Sequence, residues 1–242
     1  SAAFDSAGQR CSALRILLLQ EDVADHYYKM ITEAINEFSL GDPRLLSTDI
    51  GPVIDQEAKQ NLENHKANMR KVARAYVELE APTNGHFVAP AVYLLDNLNQ
   101  LQREVFGPIL HIVRYKKENL VNVLNEVNAK GYALTGGCHS RIRNQMDLVE
   151  KHLHCGNFYI NRNIVGAVVG VQPFGGHGLS GTGPKAGGEF YLQRLTKTDR
   201  YYSQFGDENS LGNAQPVLDS ITGERNSLAY LPSKVAILNG DL

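Results

Sequence analysis

The stretch ILHIVRYKKENLVNVLNEVNAKGYALTGGCHSRIRNQMDLVEKHLHCGNFYIN, residues 109–161, decides the fold class of this 242-residue chain. Its apolar runs have the length and composition of buried strands and lie at Ile109–Tyr115, Tyr132–Gly137 and Gly156–Asn161. Segments with apolar residues at helical spacing separate these runs, at about 119–129 and 142–152. This alternation predicts an α/β fold with a mainly parallel sheet and flanking helices.

Upstream of this stretch the sequence predicts two further strands and two helices. The predicted bounds are Ala13–Gln20 and Phe87–Leu95 for the strands, and Asp22 to about Phe38 and Asp55 to about Val77 for the helices. Asp22 and Asp55 have the side-chain chemistry of helix N-caps, and Pro90 is expected to interrupt its strand. The strand and helix alternation therefore extends towards the amino terminus.

The composition changes near Val165. Gly166–Gly188 is dominated by glycine and other small residues, which indicates either a set of tight turns or a site lined by backbone groups. From residue 196 onward polar and turn-forming residues prevail as far as Lys234–Leu238, a short strand-like run. We therefore expect a main domain over residues 1–199, and a linker with the start of a further region over residues 200–242.

The bulk composition excludes several classes of partner. With 21% charged residues and a net charge of -2, the chain gives no electrostatic reason to expect nucleic acid as a partner. No apolar run approaches the roughly 18 residues of a membrane span, and no basic stretch precedes an apolar core at the amino terminus. These features predict a cytoplasmic location. Cys11, Cys138 and Cys155 lack the spacing of metal ligands or of a disulfide framework, so no metal site is expected.

Cys11 lies in a glycine-containing turn immediately before an apolar strand. Such a turn could expose a thiol to a pocket, and the adjacent Arg10 could stabilise its thiolate. Taken alone, the same position also suits a small buried apolar residue. The local sequence leaves both interpretations open.

The wider sequence resembles the aldehyde dehydrogenases. The motifs that carry the resemblance, in the family's order, are Ser6-Ala-Gly-Gln-Arg-Cys-Ser12, Gly41-Asp-Pro43, Asp49-Ile-Gly-Pro-Val-Ile54, Glu104-Val-Phe-Gly-Pro108 and Gln172-Pro-Phe-Gly-Gly176. The resemblance implies the catalytic domain of that family with an incomplete Rossmann half. It also implies that Cys11 attacks an aldehyde, that its backbone N–H stabilises the oxyanion, and that hydride passes to NAD.

The resemblance further implies a partial NAD site. It places Glu104 on the nicotinamide ribose hydroxyls, Phe106 beside the ribose or nicotinamide ring, and Leu134 near the nicotinamide. Considered without the family, Glu104 is a solvated carboxylate and Leu134 a core residue. The string Gly176-His-Gly-Leu-Ser-Gly181 has the glycine spacing of a dinucleotide-binding loop. A dinucleotide-binding loop requires a helix to begin within it, and the residues that follow, Thr182–Gly188, are not suited to form that helix. We therefore expect the glycine string to form structural turns.

Residues 161–176 and 179–188 resemble the enzymes that oxidise L-glutamate γ-semialdehyde, especially the bifunctional proline utilization A proteins. This resemblance places Gly166 and Ala167 opposite Ser12, where two backbone N–H groups and one hydroxyl could hold the substrate carboxylate. Phe174 would form one wall around the aliphatic chain. The alternatives are a tight turn without a ligand for Gly166 and Ala167, and simple packing for Phe174.

The family's general base, a second oxyanion donor and most of its cofactor fold precede the cysteine. We therefore expect a fragment that is inactive alone and needs the amino-terminal part of the same polypeptide. FAD is expected only in an upstream proline dehydrogenase domain, and a homo-oligomer is possible. Two rival hypotheses are an aldehyde dehydrogenase of other specificity and a non-catalytic interaction or regulatory domain.

Overall fold

The computed structural model describes residues 1–181, 183–195, 217–218 and 223–229. The chain divides into two compact units, the first made of residues 1–166 and 176–182 and the second of residues 167–175 and 183–242. The boundary predicted between residues 199 and 200, and the strand-like run Lys234–Leu238, lie outside the described residues.

Strands and helices alternate along the first unit. Its helices are α1 (Glu21–Ile35), α2 (Gln56–Val72), α3 (Leu120–Ala129) and α4 (Arg143–His152). Its strands are β1 (Ile16–Gln20), β2 (Ala75–Glu78), β3 (Ala91–Leu95), β4 (Ile109–Tyr115), β5 (Tyr132–Ala133), β6 (Thr135–Cys138), β7 (Asn157–Ile160) and β8 (His177–Gly178). The second unit contains the strands β9 (Val217–Leu218) and β10 (Asn226–Ser227), which pair antiparallel.

The main sheet has four strands in the order β1-β4-β3-β2. Strand β4 pairs parallel with both β1 and β3, whereas β2 adds an antiparallel edge. All five residues of β3 are buried, as its continuous apolar sequence requires of a strand covered on both faces. Strands β6 and β7 form a second parallel pair. The prediction of an α/β fold with a mainly parallel sheet is therefore confirmed.

Several predicted bounds need correction. Helix α2 begins after Asp55, whose carboxylate accepts a 2.8 Å hydrogen bond from Ala58 N as predicted, but it ends at Val72 and not near Val77. The missed strand β2 follows at once, because the N–H of Arg74 already donates to Leu94 O in β3. Branched and aromatic residues there gain more from pairing with the sheet than from extending a charged helix.

Helix α1 also differs from its prediction. It begins at Glu21, so Asp22 lies in its first turn, where its charge suits the exposed N–H groups. No side chain caps this helix; Gln20 occupies the cap position and its amide donates to Asp22 instead. The helix ends at Ile35, short of the predicted end at Phe38. Strand β3 begins at Ala91, directly after Pro90, which has no N–H to offer the sheet.

A buried pair of histidines links α2 to the sheet. His111 on β4 is 1% exposed, and its Nε2 lies 2.9 Å from Nε2 of His65 on α2. Nδ1 of His111 lies 3.0 Å from Arg15 O, and a carbonyl oxygen only accepts, so this nitrogen carries the proton. Neutral His111 therefore accepts at Nε2, and His65 donates to it. Burial lowers the pKa of His65 to about 4 and that of His111 to about 3.

A second buried polar group is Lys66, one residue further along α2. Its side chain is 2% exposed, yet its ammonium donates to Ala89 O and lies 3.4 Å from a carboxylate oxygen of Glu78. Glu78 also accepts hydrogen bonds from Arg70 and from the hydroxyl of Tyr93. These partners compensate the desolvation of the charge, because a buried ammonium without them would be strongly destabilising.

Within the described residues, no helix is both long and apolar enough to cross a membrane.

We predict that the histidine pair makes the fold sensitive to acid. Both folded-state pKa values lie below the unfolded value of about 6.5, so the unfolded chain binds more protons. The stability contributed by the neutral pair is present above about pH 6.5 and is lost as the pH falls towards about 4. His65→Gln keeps a donor for His111 but does not titrate. Between pH 7 and pH 4 the free energy of unfolding should therefore decrease in both proteins. The decrease should be smaller in His65→Gln than in the wild type, by roughly 2 kcal/mol.

Urea denaturation at pH 7, 5.5 and 4 measures this difference. His26→Gln, which removes an exposed imidazole on α1, is the matched control and should follow the wild-type profile. Equal pH dependence in the wild type and His65→Gln would contradict the neutral buried pair.

Candidate active site

The loop that carries Cys11 has an unusual backbone. Residues 5–8 form a tight turn in which Ser6, Ala7 and Gly8 have φ angles of 55°, 53° and 63°. A left-handed conformation costs a residue with a side chain roughly 1–2 kcal/mol, so the surrounding structure must hold Ser6 and Ala7 in place. Phe4 provides one anchor, because it is buried and packs edge-to-face on Phe38. Beyond the turn, Cys11 is exposed.

The Cys11 loop lies against the segment Glu104–Gly107. Both segments directly precede strands, β1 and β4, which are parallel neighbours in the sheet. Residues that precede parallel neighbouring strands meet at the same edge of a sheet. Contact between the loops is made by backbone atoms, since a Cβ added to Gly8 would lie 2.1 Å from Gly107 O. Two motifs that are distant in the sequence thus form one surface.

Gln9 connects this surface to a third motif. Its Oε1 accepts a 2.8 Å hydrogen bond from Ile54 N, and its Nε2 lies 3.5 Å from Phe106 O. The loop that ends at Ile54 therefore touches the other two through one amide side chain. Three of the five motifs that carry the resemblance are thus brought together by the fold.

Arg15 is the residue of this region that sequence reasoning missed. Its guanidinium donates to the carbonyl oxygens of Gly8, Arg10 and Gly107, the last two at 3.0 and 3.2 Å. Its Nε lies 3.8 Å from a carboxylate oxygen of Glu104, and its central carbon lies 4.5 Å from the ring centre of Phe106.

A signal for Arg15 was present, since it is the only charged residue in the apolar run Ala13–Gln20. The Arg15 side chain is 14% exposed. Burial lowers the pKa of its guanidinium, while the negative charges of Glu104 and of a Cys11 thiolate oppose that change. A half-buried cation thus lies beside both Cys11 and the Glu104 carboxylate.

The predicted cofactor residues differ in exposure. The side chain of Glu104 is 34% exposed and Phe106 is 42% exposed, so both present part of their surface outward. Leu134 is half-buried, and its carbonyl accepts a hydrogen bond from Asn157 N. The next residue, Thr135, donates through its hydroxyl to Ser12 O at 3.4 Å, which places the Leu134 segment beside the Cys11 loop.

The predicted substrate residues fall in both units. Ser12 is 8% exposed and Gly166 is half-buried, with its carbonyl accepting a 2.7 Å hydrogen bond from the guanidinium of Arg162. Ala167 and Phe174 belong to the second unit, where Phe174 exchanges two backbone hydrogen bonds with Ala186. The placement of Gly166 and Ala167 opposite Ser12 stays a prediction.

The glycine string at 176–181 forms structural turns, as predicted. His177 and Gly178 pair antiparallel with β5, and a turn closes through a hydrogen bond from Ser180 N to His177 O. A Cβ on Gly176 would lie 2.9 Å from Leu134 Cα and from Ala133 O, so this glycine is needed for close packing. A phosphate-binding loop would instead open a helix at this point.

Cys11 lines neither of two clefts in the described residues. One, of about 420 Å³, is lined by Phe38, Leu40 and residues 79–82, and the other, of about 160 Å³, lies within the second unit. No group of three His, Cys, Asp or Glu side chains among the described residues could hold a metal ion.

We predict that Gly8→Ala disrupts the surface formed by the two loops. The added methyl group would meet backbone atoms, which cannot move aside as a side chain can. The free energy of unfolding should fall by roughly 3 kcal/mol or more, measured by urea denaturation. Gly85→Ala is the matched control, because Gly85 also has positive φ but its Cβ would meet only the Phe87 ring at 3.3 Å. It should cost about 1 kcal/mol, and an equal loss in both variants would contradict the close contact.

Comparison with known proteins identifies the family. The model of the aldehyde dehydrogenase family matches residues 1–200. The bifunctional protein PutA of Escherichia coli is 53% identical over 203 residues, which are 81% of this chain and 15% of that protein. The chain therefore spans a small part of the length of this relative.

Solved structures give the same result. A crystal structure of a mutant proline utilization A (PutA) from Bradyrhizobium japonicum matches 80% of this chain and 20% of its own chain, with 55% identity and a TM-score of 0.78. The 1-pyrroline-5-carboxylate dehydrogenase from Thermus with bound NAD matches 79% of this chain and 37% of its own, with 33% identity and a TM-score of 0.73. The chain belongs to the aldehyde dehydrogenase family.

Proposed function

We propose that this chain carries the nucleophile and part of the cofactor site of an enzyme that oxidises L-glutamate γ-semialdehyde to L-glutamate with NAD, the second step of proline catabolism. The observation that carries the proposal is the exposed Cys11 on a loop packed against the segment that bears Glu104 and Phe106. The substrate is supported by similarity to proteins named PutA and 1-pyrroline-5-carboxylate dehydrogenase.

Cys11 would act as the nucleophile. Its thiolate adds to the aldehyde carbon to form a thiohemiacetal, whose oxyanion needs hydrogen-bond donors. In the described part of the chain the backbone N–H of Cys11 donates to no protein acceptor, so it is available for that oxygen. Loss of hydride leaves a thioester on Cys11, and water hydrolyses it to release L-glutamate and restore the thiol.

Glu104 and Phe106 suit the nicotinamide end of NAD, which would supply the hydride acceptor when bound. Arg15 approaches one carboxylate oxygen of Glu104, and the partly exposed carboxylate keeps acceptor capacity for two ribose hydroxyls. The guanidinium of Arg15 lies over the Phe106 ring, while Phe106 stays 42% exposed and could pack against a planar group. Leu134 would contribute apolar surface beside them.

The remainder of the machinery would come from a longer polypeptide. The chain spans 15% of the E. coli PutA protein, and we propose that such a polypeptide supplies the general base and most of the NAD site. Residues 1–199 would form the catalytic domain and residues 200–242 a connection to a further region. FAD would bind only in an upstream proline dehydrogenase domain, and the whole protein would be cytoplasmic and able to form a homo-oligomer.

We predict that Cys11 is the only essential thiol. In the intact polypeptide, Cys11→Ala should lower kcat for semialdehyde oxidation by roughly 10⁴-fold or more, since no other group can form the thioester. Cys138→Ala and Cys155→Ala are the matched controls and should stay within about threefold of wild type. Burial raises the pKa of the Cys138 thiol, which makes it a poor nucleophile. NADH absorbance measures the rates, and activity retained by Cys11→Ala would rule out this mechanism.

A second prediction tests the substrate. Ser12 is nearly buried, and its hydroxyl forms no hydrogen bond within residues that the structure describes, so it could donate to the substrate carboxylate. Such a charge-assisted bond is worth roughly 1.5–3 kcal/mol, so Ser12→Ala should lower kcat/KM for the semialdehyde by about 10- to 100-fold. Propanal, which has no carboxylate, should be affected much less. If both substrates lost activity equally, Ser12 would support Cys11 and would not recognise the carboxylate.

A further inference from the structure

We propose that Arg15 is the positioning residue of this site, because it holds the Cys11 loop and the Glu104–Gly107 segment at a fixed separation. This inference rests on the proposed function. The reaction needs the carbon bound to Cys11 to lie within transfer distance of the hydride acceptor, and the two groups are held by different loops. A misplacement of about 1 Å between reacting groups can cost roughly 100-fold in rate.

The contacts of Arg15 divide between the two loops. On the Cys11 side it donates to the carbonyls of Gly8 and Arg10, and on the other side it donates to Gly107 O and lies near Glu104 and Phe106. A guanidinium has five N–H donors in a rigid planar fork, so it can serve acceptors in several directions at once. The two loops are therefore connected through one rigid group.

Arg15 is itself fixed to the sheet. Its backbone carbonyl accepts from both the N–H and Nδ1 of His111, each at 3.0 Å. It also lies directly before the first residue of β1, which pairs with β4. The base of the side chain is therefore fixed, and the position of the guanidinium depends only on the side chain and its buried contacts.

Lysine cannot reproduce this arrangement. Its ammonium lies one bond nearer the backbone than Nη1, which donates to both Gly8 O and Gly107 O, and its single nitrogen cannot also replace Nη2 at Arg10 O. Arg15→Lys thus keeps the positive charge near Cys11 and weakens the connection. Arg15→Met removes both and keeps a similar apolar stem. Comparing the two variants separates the effect of geometry from that of charge.

Arg114→Lys is the matched control. Like Arg15, Arg114 is a partly buried arginine with an Nε that has no hydrogen-bond acceptor among the described residues, and it pairs with Asp25 on α1, away from the site. Both lysine variants should lose some thermal stability. Only Arg15→Lys should change kcat and the Kd for NAD.

The experiment uses the intact polypeptide. In Arg15→Lys we expect kcat for semialdehyde oxidation to fall at least about 10-fold and the Kd for NAD, measured by calorimetry, to rise at least about fivefold. Alkylation of Cys11 by iodoacetamide needs only an accessible thiolate, so its rate should change less than about twofold. Arg114→Lys should match wild type in all three measurements.

A double-mutant cycle adds the decisive comparison. If Arg15 acts by holding Glu104, the effect of Arg15→Lys on NAD affinity should largely disappear in a Glu104→Gln background. Additive effects would overturn the proposal, as would wild-type kcat and NAD affinity in Arg15→Lys. The proposal would also be overturned if Arg15→Lys lowered the alkylation rate and kcat by the same factor, because Arg15 would then act on Cys11 alone.

The two proposals fail in different ways. A wild-type polypeptide that binds NAD but does not oxidise the semialdehyde would contradict the proposed function only. The NAD affinities and alkylation rates of the Arg15 variants would still decide whether Arg15 joins the two loops.

Discussion

Gly8 approaches Gly107 so closely that a Cβ on Gly8 would lie 2.1 Å from Gly107 O. The contact brings the chain before β1 against the chain before β4, and the exposed Cys11 thiol lies on one side of it with Glu104 and Phe106 on the other. Hydrogen bonds from Arg15 to both glycine carbonyls satisfy the polar groups that this contact buries. The site depends on this arrangement of backbone atoms.

The sheet supplies the stiffness that the contact requires. Strands β1 and β4 are parallel neighbours, and His111 on β4 is hydrogen-bonded to the backbone of Arg15 and to His65 on α2. Nearby on the same helix, Lys66 is buried with its charge matched by Glu78. Buried polar groups of this kind specify one arrangement of helix and sheet, because any shift would leave a charge or a hydrogen-bonding group without a partner. The same residues thus stabilise the core and hold the site.

The chemistry is divided between the two loops in a way that fits the aldehyde dehydrogenase family. In the proposed function one loop would offer the Cys11 thiol and its backbone N–H, and the other would offer a carboxylate and an aromatic ring to a cofactor. Residues proposed for substrate selection, Ala167 and Phe174, belong to a different compact unit from Cys11. Ser12 and Gly166, the other residues proposed for substrate selection, belong to the same unit as Cys11.

The sequence by itself determined the fold class, the strand Ile109–Tyr115, the Asp55 cap and the family, because apolar periodicity, capping chemistry and contiguous motifs are local properties. It did not determine strand β2, where the sequence predicts helix as far as about Val77, because the preference of these residues is settled by pairing with β3. Only the tertiary structure decided which groups Arg15 contacts. Its partners lie in two loops distant in the sequence, and they converge because parallel strands place the segments before them at one edge of the sheet.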